Sequence, residues 1–191
     1  MKAIVIVHSC HHGNTEKVAG AIAGVLDARV KTPRETRPEE LGGYDLVGFG
    51  SGIDTNRHYQ PLLDFAESLP RAEGKKAFVF STCGIPAFAF GEKYIEDYAR
   101  ESHAALRTTL LSRGYEIIGE FNCPGHNSNS FLRLFGGLNK SRPNARDLTD
   151  AEEFAGRMAG RLRATGTEGT VQSAPRTSSG GAAAHLTHAI D

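Results

Sequence analysis

The sequence predicts an α/β fold: a doubly wound, five-stranded parallel sheet between two helix layers, a three-layer αβα sandwich. Three observations carry this. Four short apolar runs bounded by Gly, Pro or polar residues have the length of buried strands, at residues 3–8, 44–50, 77–81 and 115–121. Segments with helical spacing stand between them. Strand and helix alternate along the chain, which implies βαβ crossovers and helices on both faces of the sheet.

The first strand is the run from Ala3 to Val7, ended by His8. It is shorter than the ~7–15-residue core of a signal peptide and lacks a small-residue cleavage site, so it is expected to remain as a strand. Val18, Ile22, Val25 and Leu26 then mark a helix beginning near Glu16. At 28–32, Ala28 and Val30 alternate with Arg29 and Lys31 before Pro33, a pattern that suits an edge strand. The strand at 44–50 leads to a helix carrying Leu62, Leu63, Phe65, Ala66 and Leu69. The strand at 77–81 leads to helical spacing at Ile95, Tyr98, Ala105, Leu106 and Leu110. Glu116 and Glu120 make 115–121 the second edge, leaving three central strands.

The connection at 122–146 is long for a compact domain. Its Phe131, Leu134, Phe135 and Leu138 read as a short amphipathic helix that covers the site, docks a partner or caps the sheet edge. A last helix is expected at 149–163. Residues 165–191, rich in Gly, Thr, Ser and Ala, cannot offset their ordering entropy and read as a flexible tail on a domain of residues 1–164.

The 191 residues balance 22 basic against 22 acidic side chains, and a nucleic-acid binder would normally show a basic surplus. Without the tail, which holds one basic and two acidic residues, 21 stand against 20. No apolar stretch approaches the roughly 18 residues that cross a bilayer, so no membrane insertion is expected. Three Cys are too sparse for a disulfide scaffold, which makes a reducing, cytoplasmic setting the expectation.

In open α/β sheets ligands sit beyond the carboxyl ends of the strands. The first such loop reads Ser9-Cys10-His11-His12-Gly13-Asn14-Thr15 and runs into a helix. Gly13 permits a tight turn, the free N–H groups of the helix start face the loop, and Ser9 and Thr15 add hydroxyls. The arrangement suits a phosphate, the alternative being an ordinary helix start after a turn.

The segment His12-Gly13-Asn14-Thr15-Glu16-Lys17-Val18-Ala19 resembles the phosphate loop and first helical turn of the flavodoxin family. Cys10 and His12 stand where that family usually has hydroxyl residues, which gives a His-His-Gly-Asn-Thr variant of the loop. The resemblance covers residues 1 to about 163. It implies a flavodoxin-like fold of strand order 2-1-3-4-5, for which flavodoxin is the reference case, with flavin mononucleotide (FMN) at the switch point. The assignment of edges and centres agrees with that order.

The resemblance also implies two ring-gripping loops, matched by Gly50-Ser51-Gly52-Ile53-Asp54 and Ser81-Thr82-Cys83-Gly84-Ile85-Pro86. Ser51, Gly52, Ile53 and Asp54 would lie near the redox-active edge of the ring, where a flavodoxin peptide reorients on reduction. Gly50 and Gly52 would allow that movement. Thr82, Cys83 and Gly84 would form the other wall. With no Trp, the flat side chains available for stacking are His58, Tyr59, Phe88 and Phe90.

Cys10, Cys83 and Cys123 all follow strands, and His11, His12, His58 and His126 are expected on the same rim. They can be read as a soft-metal site, but no C-x-x-C or H-x-x-x-H pair supports one, and lining a cofactor groove is the preferred reading. His11 or His12 could donate to the phosphate in place of the missing hydroxyl.

These readings converge on an FMN-binding redox protein that passes electrons to a partner protein or a small-molecule acceptor, with no side chain required to be catalytic. A same-fold FMN oxidoreductase, using a reduced nicotinamide with a quinone or acting on a porphyrinogen, is the alternative. A flavin-free binding or signalling domain is the second. A phosphoacceptor receiver would need carboxylates where Ser9 and Ser51 stand, and neither a G-x-x-x-x-G-K-[ST] loop nor a G-x-S-x-G elbow occurs.

Overall fold

The computed structural model describes residues 1–10, 12–85, 92–127 and 137–168. Parallel strands β1 (Ala3–His8), β2 (Arg29–Lys31), β3 (Leu46–Asp54), β5 (Lys75–Cys83) and β6 (Tyr115–Pro124) form one sheet in the order β2-β1-β3-β5-β6. That is the expected 2-1-3-4-5 arrangement. A two-residue strand, β4 (Arg57–His58), pairs antiparallel with the end of β3.

Alternation along β1 divides the core. Ala3, Val5 and Val7 face one helix layer with Phe78 and Phe80, against α1 (Asn14–Leu26) and α5 (Ala145–Glu168). Ile4 and Ile6 face the other with Val47, Phe49 and Val79, against α2 (Gln60–Glu67) and α4 (Ala104–Ser112). Register fixes how the central strands fit. Gly48 and Gly50 stand beside Phe78 and Phe80, and a Cβ at Gly50 would come within 2.2 Å of the Phe80 ring.

Several boundaries differ from the sequence expectation. β3 runs on through Asp54 and β5 through Cys83, so the segments read as ring-gripping loops are largely strand. The reason is backbone pairing, which continues after the apolar pattern stops: Gly52 pairs with Thr82, and Ile53 pairs with His58 across the hairpin. β4 was not expected; Thr55 and Asn56, at φ 48° and 57°, turn the chain back into it.

The single helical pattern spanning Ile95 to Leu110 is two helices, α3 (Glu92–Ser102) and α4, meeting at His103. The helical hydrogen bonds persist there, from His103 N–H to Ala99 and from Arg107 N–H to His103. α1 starts at Asn14, before Glu16. α5 starts four residues earlier than expected because Asn144 and Asp147 cap each other's backbone N–H, at 2.7 and 3.2 Å, and it continues to Glu168, past the expected domain end at 164. The tail beyond 168 and the segment carrying Phe131, Leu134 and Phe135 lie outside the described residues. Leu138 is described and bridges Asn127.

Gly50→Ala is expected to lose about 1–3 kcal/mol in urea denaturation, because Phe80 must leave its place. Gly20→Ala, on the open face of α1 with nothing near its added Cβ, should instead gain about 0.5–1 kcal/mol.

Candidate functional site

The carboxyl ends of β1, β3, β5 and β6 open onto a cleft of about 60 Å³. Ser9, Cys10, Asn14 and Thr15 form one wall, Gly52, Ile53 and Tyr59 a second, Thr82, Cys83 and Gly84 a third, and Gly125, His126 and Asn127 close it. Thr15 and Thr82 share a buried hydroxyl hydrogen bond of 2.8 Å, which ties the start of α1 to the end of β5. Asn14 Nδ2 donates to the His126 carbonyl at 2.8 Å, and Gly125 N–H donates to the Cys83 carbonyl at the same distance. Asn127 and Leu138 exchange backbone hydrogen bonds. These contacts hold the segment after β6 against the first loop.

Asn14 is 93% buried, yet its Oδ1 has no hydrogen-bond partner among the described residues. A buried carbonyl oxygen left unpaired costs about 1–3 kcal/mol. As Asn14 lines the cleft, a ligand donor there would satisfy it.

Nine of the expected site residues therefore line the cleft: Ser9, Cys10, Asn14, Thr15, Gly52, Ile53, Thr82, Cys83 and Gly84. Others are placed elsewhere. His12, exposed and at φ 57°, stacks on His126 at 4.1 Å between ring centroids, and Gly13 follows it at the start of α1. The Ser51 side chain is buried below the cleft, because strand alternation turns it to the same face as Phe49. Asp54 is exposed on the hairpin and does not line the cleft. His11, Phe88 and Phe90 lie outside the described residues.

The rim reading of the cysteines and histidines is also corrected. Cys123 belongs to β6 and is buried in the core beside α1 and α5. His58 is 1% exposed and lies under the cleft. Cys10 is exposed, with its Sγ 2.9 Å from His8 Nε2. Burial raises the thiols of Cys83 and Cys123, and burial followed by the charge of Arg34 lowers His8, so these groups are held neutral. Among the described residues no group of three or more His, Cys, Asp or Glu could hold a metal ion. No helix among them is long and apolar enough to cross a membrane.

Below the cleft a polar row crosses the sheet in register, from His8 through Ser51 and Ser81 to Asn122. Ser51 Oγ is 2.8 Å from His58 Nδ1, and Ser81 Oγ is 2.8 Å from His103 Nε2. Ser81 also donates to Asn122 Oδ1 at 2.9 Å. His103 Nδ1 meets Glu120 Oε2 at 2.9 Å, and Arg107 grips both oxygens of that carboxylate. Burial alone would raise Glu120, but hydrogen bonds from Arg107 and His103 outweigh it and bring the carboxyl down to about 2. Sequence reasoning missed this network, as its members lie 7 to 22 residues apart or more and no motif joins them.

A doubly wound sheet with a cleft at the carboxyl ends of β1 and β3, where the winding reverses, defines a switch-point α/β protein. A family model described as flavodoxin domain matches residues 5–158, and the chain belongs to that family. It is 41% identical over 155 residues to an uncharacterised protein of Methanocaldococcus jannaschii, covering 81% of this chain and 96% of that one. Flavodoxin 2 of Bacillus cereus is similar in structure, with a TM-score of 0.62 at 20% identity over 84% of this chain and 99% of that one. A rubredoxin oxygen:oxidoreductase of Desulfovibrio gigas gives 0.58 at 15% identity, over 85% of this chain and 36% of that one. At such identities the likeness shows a shared fold.

The partly exposed Arg107–Glu120 ion pair makes stability depend on pH. Native Glu120 stays ionised down to about pH 2, whereas the unfolded carboxyl protonates near 4.5. Its contribution is therefore complete above pH 4.5 and is lost as pH falls toward 2. Glu120→Gln should cost about 0.5–1 kcal/mol at pH 7, the pair being partly screened by solvent. In urea denaturation from pH 7 to 2, its deficit relative to the native protein should shrink across that window.

Proposed function

We propose that the chain is a flavodoxin-type redox protein that holds FMN in the cleft and passes electrons through it to a partner protein or a small-molecule acceptor. The observation that carries this is Asn14 Oδ1: a buried acceptor without a partner, lining the cleft where the first loop enters α1. The donor it lacks matches a hydroxyl of the cofactor's sugar-alcohol chain.

The other lining groups fit as well. Ser9 and Thr15 supply hydroxyls, and Asn14, Thr15 and Glu16 supply backbone N–H groups at the start of α1, where an anion is favoured. His11, His12 and Gly13 belong to this phosphate-binding segment in the proposal. The cleft has room for a phosphate or a stretch of polyol, and a three-ring group needs further walls. Gly52 and Ile53 on one side, with Thr82, Cys83 and Gly84 on the other, offer them. Tyr59 adds a flat face, its ring lying across Gly52 so that a Cβ there would come within 2.7 Å. When bound, the flavin supplies the electron-transfer chemistry. The chain's part is to orient it and to limit its contact with water.

The charge balance argues for a partner other than a basic protein, or for the oxidoreductase alternative. Carriers that dock basic partners use a strongly acidic surface field, and 21 basic against 20 acidic residues in 1–164 supply none. The substrate would then be a small molecule such as a quinone or a porphyrinogen, with reduced nicotinamide as one possible electron source.

Titrating the purified full chain with FMN should give a bound flavin absorption band at one equivalent. A protein that gains no flavin band overturns the proposal. Asn14→Leu, which removes the acceptor, should weaken binding about tenfold. Steady consumption of reduced nicotinamide with a quinone would mark an enzyme, whereas two well-separated one-electron steps in a redox titration would mark a carrier.

A further inference from the structure

Two imidazoles stack beneath the cleft floor. The rings of His58 and His103 lie 5.0 Å apart at 30°, and each residue is 1% exposed. Each is tied to one of two serines that are register partners on neighbouring strands, Ser51 and Ser81. Neither histidine lines the cleft, and the proposed function assigns a role to neither.

Hydrogen-bond accounting fixes the state of His58. A hydroxyl has one proton and two lone pairs. Ser51 Oγ donates its proton to the Gly52 carbonyl at 2.7 Å and accepts from Tyr59 N–H at 3.1 Å. Its remaining lone pair meets His58 Nδ1 at 2.8 Å, so Nδ1 must carry the ring proton. Nε2 is then a bare lone pair, buried and without a hydrogen-bond partner among the described residues.

The surrounding charges keep it bare. Burial comes first and His103 second in lowering His58 well below an ordinary imidazole, against an opposing pull from Glu120. Arg107 is paired with that carboxylate. Tyr98 on α3 is a phenol raised by burial and therefore neutral, while Asp54 and Arg57 stand exposed on the hairpin. A negative charge arriving above Gly52 would act in the opposite sense to burial, because an opposite charge nearby favours the cation.

We propose that the stacked pair is a redox-linked proton store. When an electron from an external reductant enters a flavin held in the cleft, a proton from solvent forms an N–H bond at His58 Nε2. It leaves when the electron leaves, so the pair cancels one unit of charge that the buried site would otherwise carry. The inference rests on the flavin reading, and it makes His58 a positioning residue for charge, with no contact to the reacting atoms.

His58→Asn separates the two functions of the ring. Its amide N–H can still donate to Ser51, but it has no basic nitrogen. With FMN bound, proton uptake on photoreduction is measured with an indicator dye in weak buffer, beside the midpoint potential, between pH 5 and 8. The native protein is expected to take up close to one more proton per flavin reduced than His58→Asn over part of this range, and its potential to fall more steeply as pH rises there. Nitrogen-15 spectra of the native protein should show His58 Nε2 gaining a proton on reduction. Equal proton uptake in the two proteins, or an Nε2 resonance unchanged by reduction, overturns the inference. Should His58→Asn fail to fold, the spectra of the native protein decide. Absence of a flavin band on mixing defeats the flavin reading and this inference together, and it is seen before any reduction is attempted.

Discussion

The pairing of Ser51 with Ser81 on adjacent central strands sets the height at which the dry core ends and the site begins. Below it on the same face are Phe49 and Val79, both fully buried. One residue further along the strands are Gly52 and Thr82, which line the cleft. A slip of one residue would carry each serine to the opposite face and an apolar residue into the polar row. Phe78 and Phe80, packed across Gly48 and Gly50, oppose such a one-residue slip because it would bring Val47, Phe49 or Ser51 against their rings. Packing on one face of the sheet thus secures the polar register on the other.

The parts of the fold legible in the sequence are those where burial on both faces forces an unbroken apolar run. β1, the order of edges and centres, and most helices follow from that signal. The strand ends do not, because pairing continues into residues such as Ser51, Gly52 and Thr82 whose side chains no longer need a dry core. β4 carries no apolar pattern in two residues, and only Asn56 hints at the left-handed turn before it. Of the first loop, the turn at Gly13 into α1 was legible because it is a local signal, whereas the ties of Asn14 to His126 and of Thr15 to Thr82 are tertiary.

The buried histidines show the opposite case. His58 was expected on the rim and His103 carries no signal in sequence, and only tertiary pairing gives each a serine. Cys123 was misread for a simpler reason. Once β6 is known to continue past Phe121, alternation places Cys123 opposite to Asn122, and therefore in the core beside α1.

The cleft is built almost entirely from neutral groups, and that limits how it can bind an anion. Its buried thiol is held protonated, the His58 imidazole beneath it is held neutral, and the nearby Glu120 carboxylate is shared between Arg107 and His103. The attraction left for a phosphate is the start of α1 with its free N–H groups, worth roughly 1–2 kcal/mol. Micromolar to nanomolar binding needs about 8–12 kcal/mol. In the proposed complex the remainder would come from burying a large flat group and from satisfying polar atoms such as Asn14 Oδ1, so affinity and orientation would be set by the same contacts. A site of this kind discriminates by shape and hydrogen bonding more than by charge. It also has little to offset a negative charge that arrives after binding, which is the condition under which a bare nitrogen on His58 acquires a use.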